Sequence, residues 1–299
     1  MTSSIFLEQV FNGFQYGMLL FLMATGVTLV FGVMRLVNLA HGSMFMVGGY
    51  LAASTVQATG SFWLAGLVAL AGAGILAAVL EVLVVRPLYQ RGHLDQLLAT
   101  FGVTLTLNEL VVVIWGREPI FVRAPEILSG HTEIFGFPYP VYRLAITGVA
   151  VLVGLALIWL VTRTRFGMLV RAGADNRMMV AGLGVNVTVL YTLVFALAAL
   201  LAALAGMMSG PLIAMQPGVG DPLLILTLTI VCIGGFGSLK GALAASLLVG
   251  MFDTFGRIFA PQWFGAAGNT LANMLVYVMM AAVLFYRPAG LFAGAGGKH

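Results

Sequence analysis

Polar side chains interrupt an apolar run between residues 32 and 54, and they are the first candidates for chemistry. Arg35, Asn38 and His41 punctuate GVMRLVNLAHGSMFMVGGYLAAS, and Gly42 follows the histidine. An ionisable group in such a run is costly unless it faces a cavity or a partner. Two interpretations are open: these groups line a passage, or Arg35 lies at an interface and His41 is a packed, neutral histidine.

A second polar series lies in ATFGVTLTLNE at 99–109. Thr100, Thr104 and Asn108 recur every four residues, so a helix places them on one face. Hydroxyl and amide groups could line a polar route without a fixed charge in it. Hydrogen bonding between packed helices is the equally open alternative.

The basic segment, residues 162–187, concentrates charge in a chain with few charges. Four arginines and one aspartate give it a net charge of +3. Asp175 is a plausible N-cap for a short helix over 176–183, and Gly184 suits the position after its end. A contact with anionic lipid would account for the charge. The small residues of the segment favour a protein docking surface instead, because they permit close approach: Ala172, Ala174, Ala181, Gly182 and Gly184.

The elements that position these residues are membrane helices. Of the 299 residues, 61% are hydrophobic and 8% are charged, and the mean hydropathy is +1.06. A bilayer crossing needs roughly 20 apolar residues. We predict an all-α, polytopic bundle of about 8–10 spans, in which 37–57 and 222–236 are candidates for broken or re-entrant helices. The nine predicted segments are 6–33, 37–57, 62–85, 96–116, 138–161, 188–210, 222–236, 239–259 and 268–286.

Basic residues predict the orientation, because Lys and Arg favour the cytoplasmic side. With the basic segment inside, ten of the fourteen basic residues are cytoplasmic, the N-terminus is external and the C-terminus is internal. The external loop, 117–137, is then a solvated connector or a contact surface for an external partner. The net charge of +4 needs no nucleic-acid partner, because topology accounts for it. The ten cytoplasmic residues are Arg35, Arg86, Arg91, Arg163, Arg165, Arg171, Arg177, Lys240, Arg287 and Lys298.

A weaker echo of the first polar run appears in IVCIGGFGSLKGALAASLLVG at 230–250. Transporters are often built from two related halves whose broken segments meet near the midplane. On that interpretation, a second group of residues lies opposite Asn38, His41 and Gly42 along a translocation path. The group consists of Gly234, Gly235, Gly237 and Ser238.

Several stretches resemble one family, the inner-membrane permeases of branched-chain amino-acid ABC importers of the LivH type. RLVNLAHGSMFMVGGYLA at 35–52 is similar to the family's Asn-x-Ala-His-Gly segment. LATFGVTLTL, TRFGMLVRAGADNRMMVAGLGVNV, GGFGSLKGALAASLLVG and YRPAGLF also fit in the family's order. The resemblance covers essentially the whole chain and implies one permease domain over 1–299.

The resemblance implies a subunit that forms half of a pore and works by alternating access. Its partners would be a second permease, with a heterodimer favoured, two cytoplasmic ATPases, and a periplasmic substrate-binding protein. ATP and Mg would be bound by the ATPases and no cofactor by this chain, which carries no Gly-x-x-x-x-Gly-Lys-Ser/Thr loop. The basic segment would carry the coupling helix, although a Glu-Ala-Ala motif is not evident. Its expected ATPase contacts are Arg171, Ala172, Asp175, Asn176, Ala181 and Gly184.

Other function classes are constrained by the same residues. An ion-coupled carrier or channel would need a titratable membrane carboxylate, for which Glu81, Glu109 and Asp253 are candidates. A membrane enzyme using His41 as a base lacks an accompanying nucleophile or paired carboxylate. With a single cysteine, Cys232, and no Cys/His cluster, the sequence predicts neither a disulfide nor a metal site. The substrate stays open among branched-chain amino acids, other amino acids, urea, short amides and aromatic acids.

Overall fold

The computed structural model describes residues 3–134 and 136–292. Within these ranges, nine long helices coincide with the nine predicted segments, and two short helices, α6 and α7, fill the basic segment. Two residues of the sequence predictions lie outside the described residues. They are Lys298, predicted to be cytoplasmic, and Phe135 of the external loop. The helices are α1 (Ser3–Met34), α2 (His41–Thr59), α3 (Phe62–Leu80), α4 (His93–Trp115), α5 (Val141–Arg163), α6 (Arg165–Asp175), α7 (Arg177–Gly182), α8 (Val187–Ser209), α9 (Gly220–Gly234), α10 (Leu239–Phe264) and α11 (Gly268–Tyr286).

Six stretches of the described chain are long and apolar enough to cross a membrane, so the chain is a multi-pass membrane protein. One stretch contains both α10 and α11, while α2 and the 15-residue α9 fall outside the set. The sequence marks these two helices as candidates for a break. In the structure α2 and α9 are continuous, and the non-helical chain precedes each of them, at 35–40 and 210–219. The six stretches are Ile5–Met34, Phe62–Leu88, His93–Trp115, Val141–Arg163, Val187–Ser209 and Leu239–Tyr286.

The chain forms two compact units, each assembled from separate parts of the sequence. The first unit contains Met1–Ala24, Ala124–Leu155 and Thr227–His299, and the second contains Thr25–Arg123 and Ala156–Leu226. Helices α1, α5 and α9 each contribute to both units. One permease domain over 1–299 stays a prediction.

In the second unit, α2 packs against α8 with almost no space between the two backbones. A Cβ atom on Gly48 would lie 2.4 Å from the Cα of Ala203, and one on Gly206 would lie 2.0 Å from the carbonyl oxygen of Phe45. Lipid offers little hydrophobic drive for helix association, so small residues that allow close van der Waals contact hold such helices together. The two helices therefore form one tightly packed pair.

In the first unit, α1 and α10 make a similar contact. A Cβ atom on Gly250 would lie 2.5 Å from the Cα of Gly17. The end of the external loop and the residues before α5 contribute one antiparallel hairpin to this unit, of β1 (His131–Ile134) and β2 (Phe137–Pro140). The hairpin is a small exception to the predicted all-α fold, and it lies outside the apolar stretches, where water can satisfy its edges.

Candidate functional site

Asn38, His41 and Gly42 lie where α2 begins, and all three are buried. Asn38 and His41 are 6% and 1% exposed. The Asn38 Oδ1 atom accepts a hydrogen bond from the Ala40 amide at 3.0 Å, and the Leu39 amide donates to Thr100 Oγ1 at 3.3 Å. The polar groups of this turn thus replace the helical hydrogen bonds that the chain loses between α1 and α2.

The Gly42 backbone contacts the start of α9. A Cβ atom on Gly42 would lie 2.4 Å from the Gly220 carbonyl oxygen, and one on Gly220 would lie 1.9 Å from that of Gly42. The His41 ring packs against Gly26 of α1, where an added Cβ would lie 2.7 Å from Cε1. Both contacts join the beginning of α2 to other helices of the second unit.

The predicted face of α4 turns inward. Thr100 and Thr104 are 1% and 5% exposed, and their hydroxyls donate to the carbonyl oxygens of Gln96 at 2.9 Å and Thr100 at 3.0 Å. These hydroxyls are therefore satisfied by the protein itself, and Thr100 also receives the Leu39 amide. The Leu39 amide belongs to the non-helical chain before α2, so Thr100 joins α4 to that turn rather than to another helix.

Asn108, one turn beyond Thr104, makes a contact that the sequence did not indicate. Its Nδ2 donates to Asp221 Oδ2 at 3.1 Å, across 113 residues of chain. Its Oδ1 atom is buried without a hydrogen-bond partner among the described residues. Asp221 lies in the first turn of α9, where the helix dipole favours a carboxylate. The signal available in the sequence was an aspartate immediately before an apolar run, in GVGDPLLI.

Gly234, Gly235, Gly237 and Ser238 form the turn between α9 and α10 in the first unit. Gly234 packs on Gly241, whose added Cβ would lie 2.0 Å from the Gly234 carbonyl oxygen. Gly235 and Gly237 have φ angles of 97° and 77°, which glycine adopts without strain. Ser238 caps α10 by accepting from the Gly241 amide at 3.1 Å. The contacts of these residues are those of a tight helical turn.

The carboxylate of Glu81 lies in a π turn, Glu81–Val85, that continues α3. The residue is 0% exposed, and its Oε2 is 2.8 Å from Arg86 Nη2. Thr192 Oγ1 donates to Oε2 at 2.9 Å, and the Tyr89 hydroxyl donates to Oε1. Burial raises the pKa of Tyr89, which keeps its phenol protonated as a donor. The negative charge of Glu81 is therefore fully compensated.

Glu81→Gln should lower the free energy of unfolding by about 2 kcal/mol. Losing one partner of a buried pair usually costs ~3–5 kcal/mol, but the Arg86 side chain keeps 40% exposure and can recover hydration. The measurement is denaturation by dodecyl sulfate in mixed micelles, followed by circular dichroism. Glu109→Gln, at an exposed carboxylate of α4, is the matched control and should change stability by less than about 0.5 kcal/mol. Equal effects of the two variants would contradict this account.

The remaining candidate carboxylates differ from Glu81 in their surroundings. Asp253 of α10 forms an ion pair with Arg257, one turn away, with 2.7 Å between Oδ2 and Nε. Glu109 is exposed and forms no ion pair among the described residues. Two of the three carboxylates proposed for ion coupling are thus held by arginines.

The basic segment folds into α6 and α7, and one predicted cap is wrong. Asp175 is the last residue of α6 and does not cap α7. Asn176 does so, since its Oδ1 accepts from the Met179 amide at 3.0 Å while its backbone is extended. Because Asp175 is still part of α6, the N-cap of α7 falls on the next residue, Asn176.

The predicted end of α7 is confirmed. Gly184 has a φ of 84°, its amide donates to Ala181 O at 3.0 Å, and the Val185 amide donates to Val180 O at 3.3 Å. This pair of hydrogen bonds is the Schellman ending, in which the glycine position is left-handed.

Exposure distinguishes the residues of the basic segment. Of the six predicted ATPase contacts, Ala172 is partly buried, and the others are exposed. Helix α7 and its C-cap residue Leu183 also expose three large apolar side chains that were not among the predicted contacts: Met178 is 79% exposed, Met179 67% and Leu183 78%. They lie outside the apolar stretches. Exposed apolar groups flanked by charge are typical of a protein interaction surface.

Comparison with known proteins places this arrangement among permeases. Residues 9–284 match the model of a family described as "Branched-chain amino acid transport system / permease component". The chain is 27% identical over 298 residues to the high-affinity branched-chain amino acid transport system permease protein LivH of Escherichia coli K12, covering 95% of this chain and 96% of LivH. It is 27% identical over 302 residues to BraD of Pseudomonas aeruginosa, a protein with the same description, covering 96% and 95% of the two chains.

One further sequence match and one structural match are more distant. The ribose import permease protein RbsC of Escherichia coli K12 is 27% identical over 259 residues, which cover 83% of this chain and 77% of RbsC. A solved structure, PsaBC from Streptococcus pneumoniae in complex with Fab, superposes with a TM-score of 0.52 at 15% identity, covering 93% of this chain and 91% of that one. With the family match extending over almost all of its length, the chain belongs to the permease components of branched-chain amino acid transport systems.

Proposed function

We propose that the chain is the permease subunit of an ATP-driven importer and forms half of the translocation path for branched-chain or related amino acids. The observation that carries this proposal is the exposed apolar surface of α7, set among the arginines of the basic segment. Such a surface suits an ATPase that hydrolyses ATP with Mg outside this chain. The relatives that match 95% or more of the chain are described as branched-chain amino acid permeases, which favours that substrate class over urea, short amides and aromatic acids.

The assembly proposed has four further chains in a bacterial inner membrane. A second, different permease subunit completes the pore, two ATPases bind from the cytoplasm, and a periplasmic binding protein delivers the substrate. The basic segment lies in the cytoplasm, so the N-terminus is external and the C-terminus is cytoplasmic. Selectivity rests mainly with the binding protein, and the permease binds its substrate weakly.

The contacts inside the second unit support alternating access. Only residues 183–186 separate α7 from α8, so movement of a docked ATPase is transmitted to α8. Helix α8 packs on α2 through Gly48 and Gly206, and the start of α2 contacts Gly220 of α9. Tightly packed helices shift as bodies rather than deform. A pull on α7 therefore reaches the Asn108–Asp221 hydrogen bond.

The path in this proposal consists of residues on one face of α4, at the start of α2 and in the turn before α10. Asn108 is the best-supported path residue. Its Oδ1 can accept a hydrogen bond that no described residue donates, and its Nδ2 is bonded to Asp221. Thr100 and Thr104 shape the same face of α4. The other path residues are those at the start of α2 and in the turn before α10: Asn38, His41, Gly42, Gly234, Gly235, Gly237 and Ser238.

The test is ATP-dependent uptake in membrane vesicles together with affinity purification from mild detergent. We expect an ATPase and a second permease to co-purify with the chain, and leucine uptake to continue with a proton uncoupler while ATP is supplied. An Arg171→Glu, Ala181→Trp variant should lose the ATPase and the uptake together. Collapse of uptake on adding the uncoupler at full ATP would overturn the proposal and favour an ion-coupled transporter or channel.

A further inference from the structure

A cavity of about 360 Å³ lies within the second unit, apart from the polar residues of the proposed path. Its wall combines the end of α1, the chain before and at the start of α4, and the junction of α6 and α7. Arg35, Arg91 and Arg177 line it together with one carboxylate, Asp175. With three arginines and one aspartate among its lining residues, the cavity has an excess of two positive charges.

These charged groups form no ion pair among the described residues. The ion pairs found among residues 3–134 and 136–292 are Arg86 with Glu81 and Arg257 with Asp253. None of the four charged groups in the cavity takes part in one. The uncompensated charge favours an anion, and guanidinium groups bind phosphate oxygens with paired hydrogen bonds.

The side chain of Gln96 indicates that a ligand in the cavity carries a hydrogen-bond donor. The residue lines the cavity and is 6% exposed. Its Nε2 donates to the carbonyl oxygens of Leu88 at 3.0 Å and Arg91 at 3.3 Å, which uses both amide hydrogens and fixes the orientation of the amide. Its Oε1 is buried without a partner among the described residues. A buried acceptor of this kind is costly unless a donor occupies the space before it.

The backbone conformation of Arg35 also indicates a ligand site at this cavity. Its φ is 52°, and within the described ranges no other non-glycine residue has a positive φ. Glycine would adopt this conformation without strain but would bring no guanidinium group to the cavity. Residues in such strained conformations cluster at active sites and ligand clamps.

We propose that this cavity binds a phosphate ester that carries free hydroxyl groups, such as the glycerol phosphate moiety shared by acidic phospholipid headgroups and soluble phosphate esters. The phosphate contacts Arg35, Arg91 and Arg177, and the hydroxyls donate to Gln96 Oε1 and to Asp175. The volume lies within the range of small-molecule sites, roughly 300–1,000 Å³. Because Arg177 opens α7 and Arg35 follows α1, the bound ester ties the proposed coupling helix to the bundle.

The test uses the purified full-length chain and two probes. Glycerol 3-phosphate is titrated by calorimetry in detergent, and retained phosphatidylglycerol is compared with phosphatidylcholine by native mass spectrometry. The test variant is Arg35→Gln with Arg177→Gln. Both arginines are exposed and form no ion pair among the described residues, so folding should be retained. Arg163→Gln with Arg165→Gln is the matched control, since it removes the same charge from the basic segment outside the cavity wall.

We expect the test variant to lower affinity for the bound probe on the order of tenfold or more, because it removes two charge-assisted contacts, while the control changes it by less than about twofold. Saturable binding of glycerol 3-phosphate identifies a soluble ester as a ligand, and selective retention of phosphatidylglycerol identifies a lipid headgroup. Either outcome supports the site. Equal losses in both variants, or binding of neither probe, would overturn it.

Discussion

Ala181→Trp should abolish co-purification of the ATPase and reduce ATP-dependent uptake on the order of 100-fold, while the protein still inserts into the membrane. Ala181 is exposed on α7, close in sequence to the exposed Met178 and Leu183. A small side chain there lets a partner surface reach the helix, and an indole ring would hold that surface away. A loss of ~3 kcal/mol in docking corresponds to a factor of this size.

Gly130→Trp provides the control for the bulk of the indole. Gly130 lies in the external loop with no heavy atom within 4 Å of an added Cβ, so ATPase co-purification should match the wild type. Insertion of each variant is checked by size-exclusion chromatography in detergent. If Ala181→Trp retained both the ATPase and full uptake, α7 would not be the coupling helix.

Among substitutions that add one methyl group to the α2–α8 pair, Gly206→Ala should lower the free energy of unfolding most. The new Cβ would lie 2.0 Å from the carbonyl oxygen of Phe45 and 3.2 Å from the amide nitrogen of Gly49. Backbone atoms of a packed helix cannot move aside as a flexible side chain can, so the helices must separate. Overpacking typically costs about 1–3 kcal/mol, and we expect at least the upper end here.

The matched control for this prediction is Gly102→Ala. Gly102 lies within α4 with no heavy atom within 4 Å of an added Cβ, so the substitution should leave stability unchanged or raise it by up to ~1 kcal/mol through helix propensity. Monodisperse yield and denaturation by dodecyl sulfate measure both variants. Equal stability of the two would mean that α2 and α8 are farther apart than described.

Local patterns in the sequence were sufficient to locate the helices. Runs of apolar residues identify spans because lipid selects for composition, and each of the nine predicted segments overlaps one helix. The glycine ending of α7 was predictable because its geometry depends on adjacent residues. The cap at Asn176 rather than Asp175 shows the limit of such rules, since both residue types favour the position.

Contacts between distant segments were not predictable in the same way. The Asn108–Asp221 hydrogen bond and the Gly42–Gly220 backbone contact each join segments that are far apart in the chain. Neither depends on periodicity, and a glycine that touches backbone resembles any other glycine in the sequence. The cavity was missed for the same reason, as its arginines come from three separate parts of the chain.

Glu81 also constrains how the chain can be synthesised and inserted. Its partners Arg86 and Tyr89 follow after five and eight residues, whereas Thr192 follows after 111. The apolar stretch Phe62–Leu88 therefore carries both the carboxylate and the cation that neutralises it, which lowers the cost of its entering lipid. The last donor arrives only when α8 has been translated. The early helices can thus be released laterally into the bilayer without an unpaired charge, long before the ribosome completes the second unit.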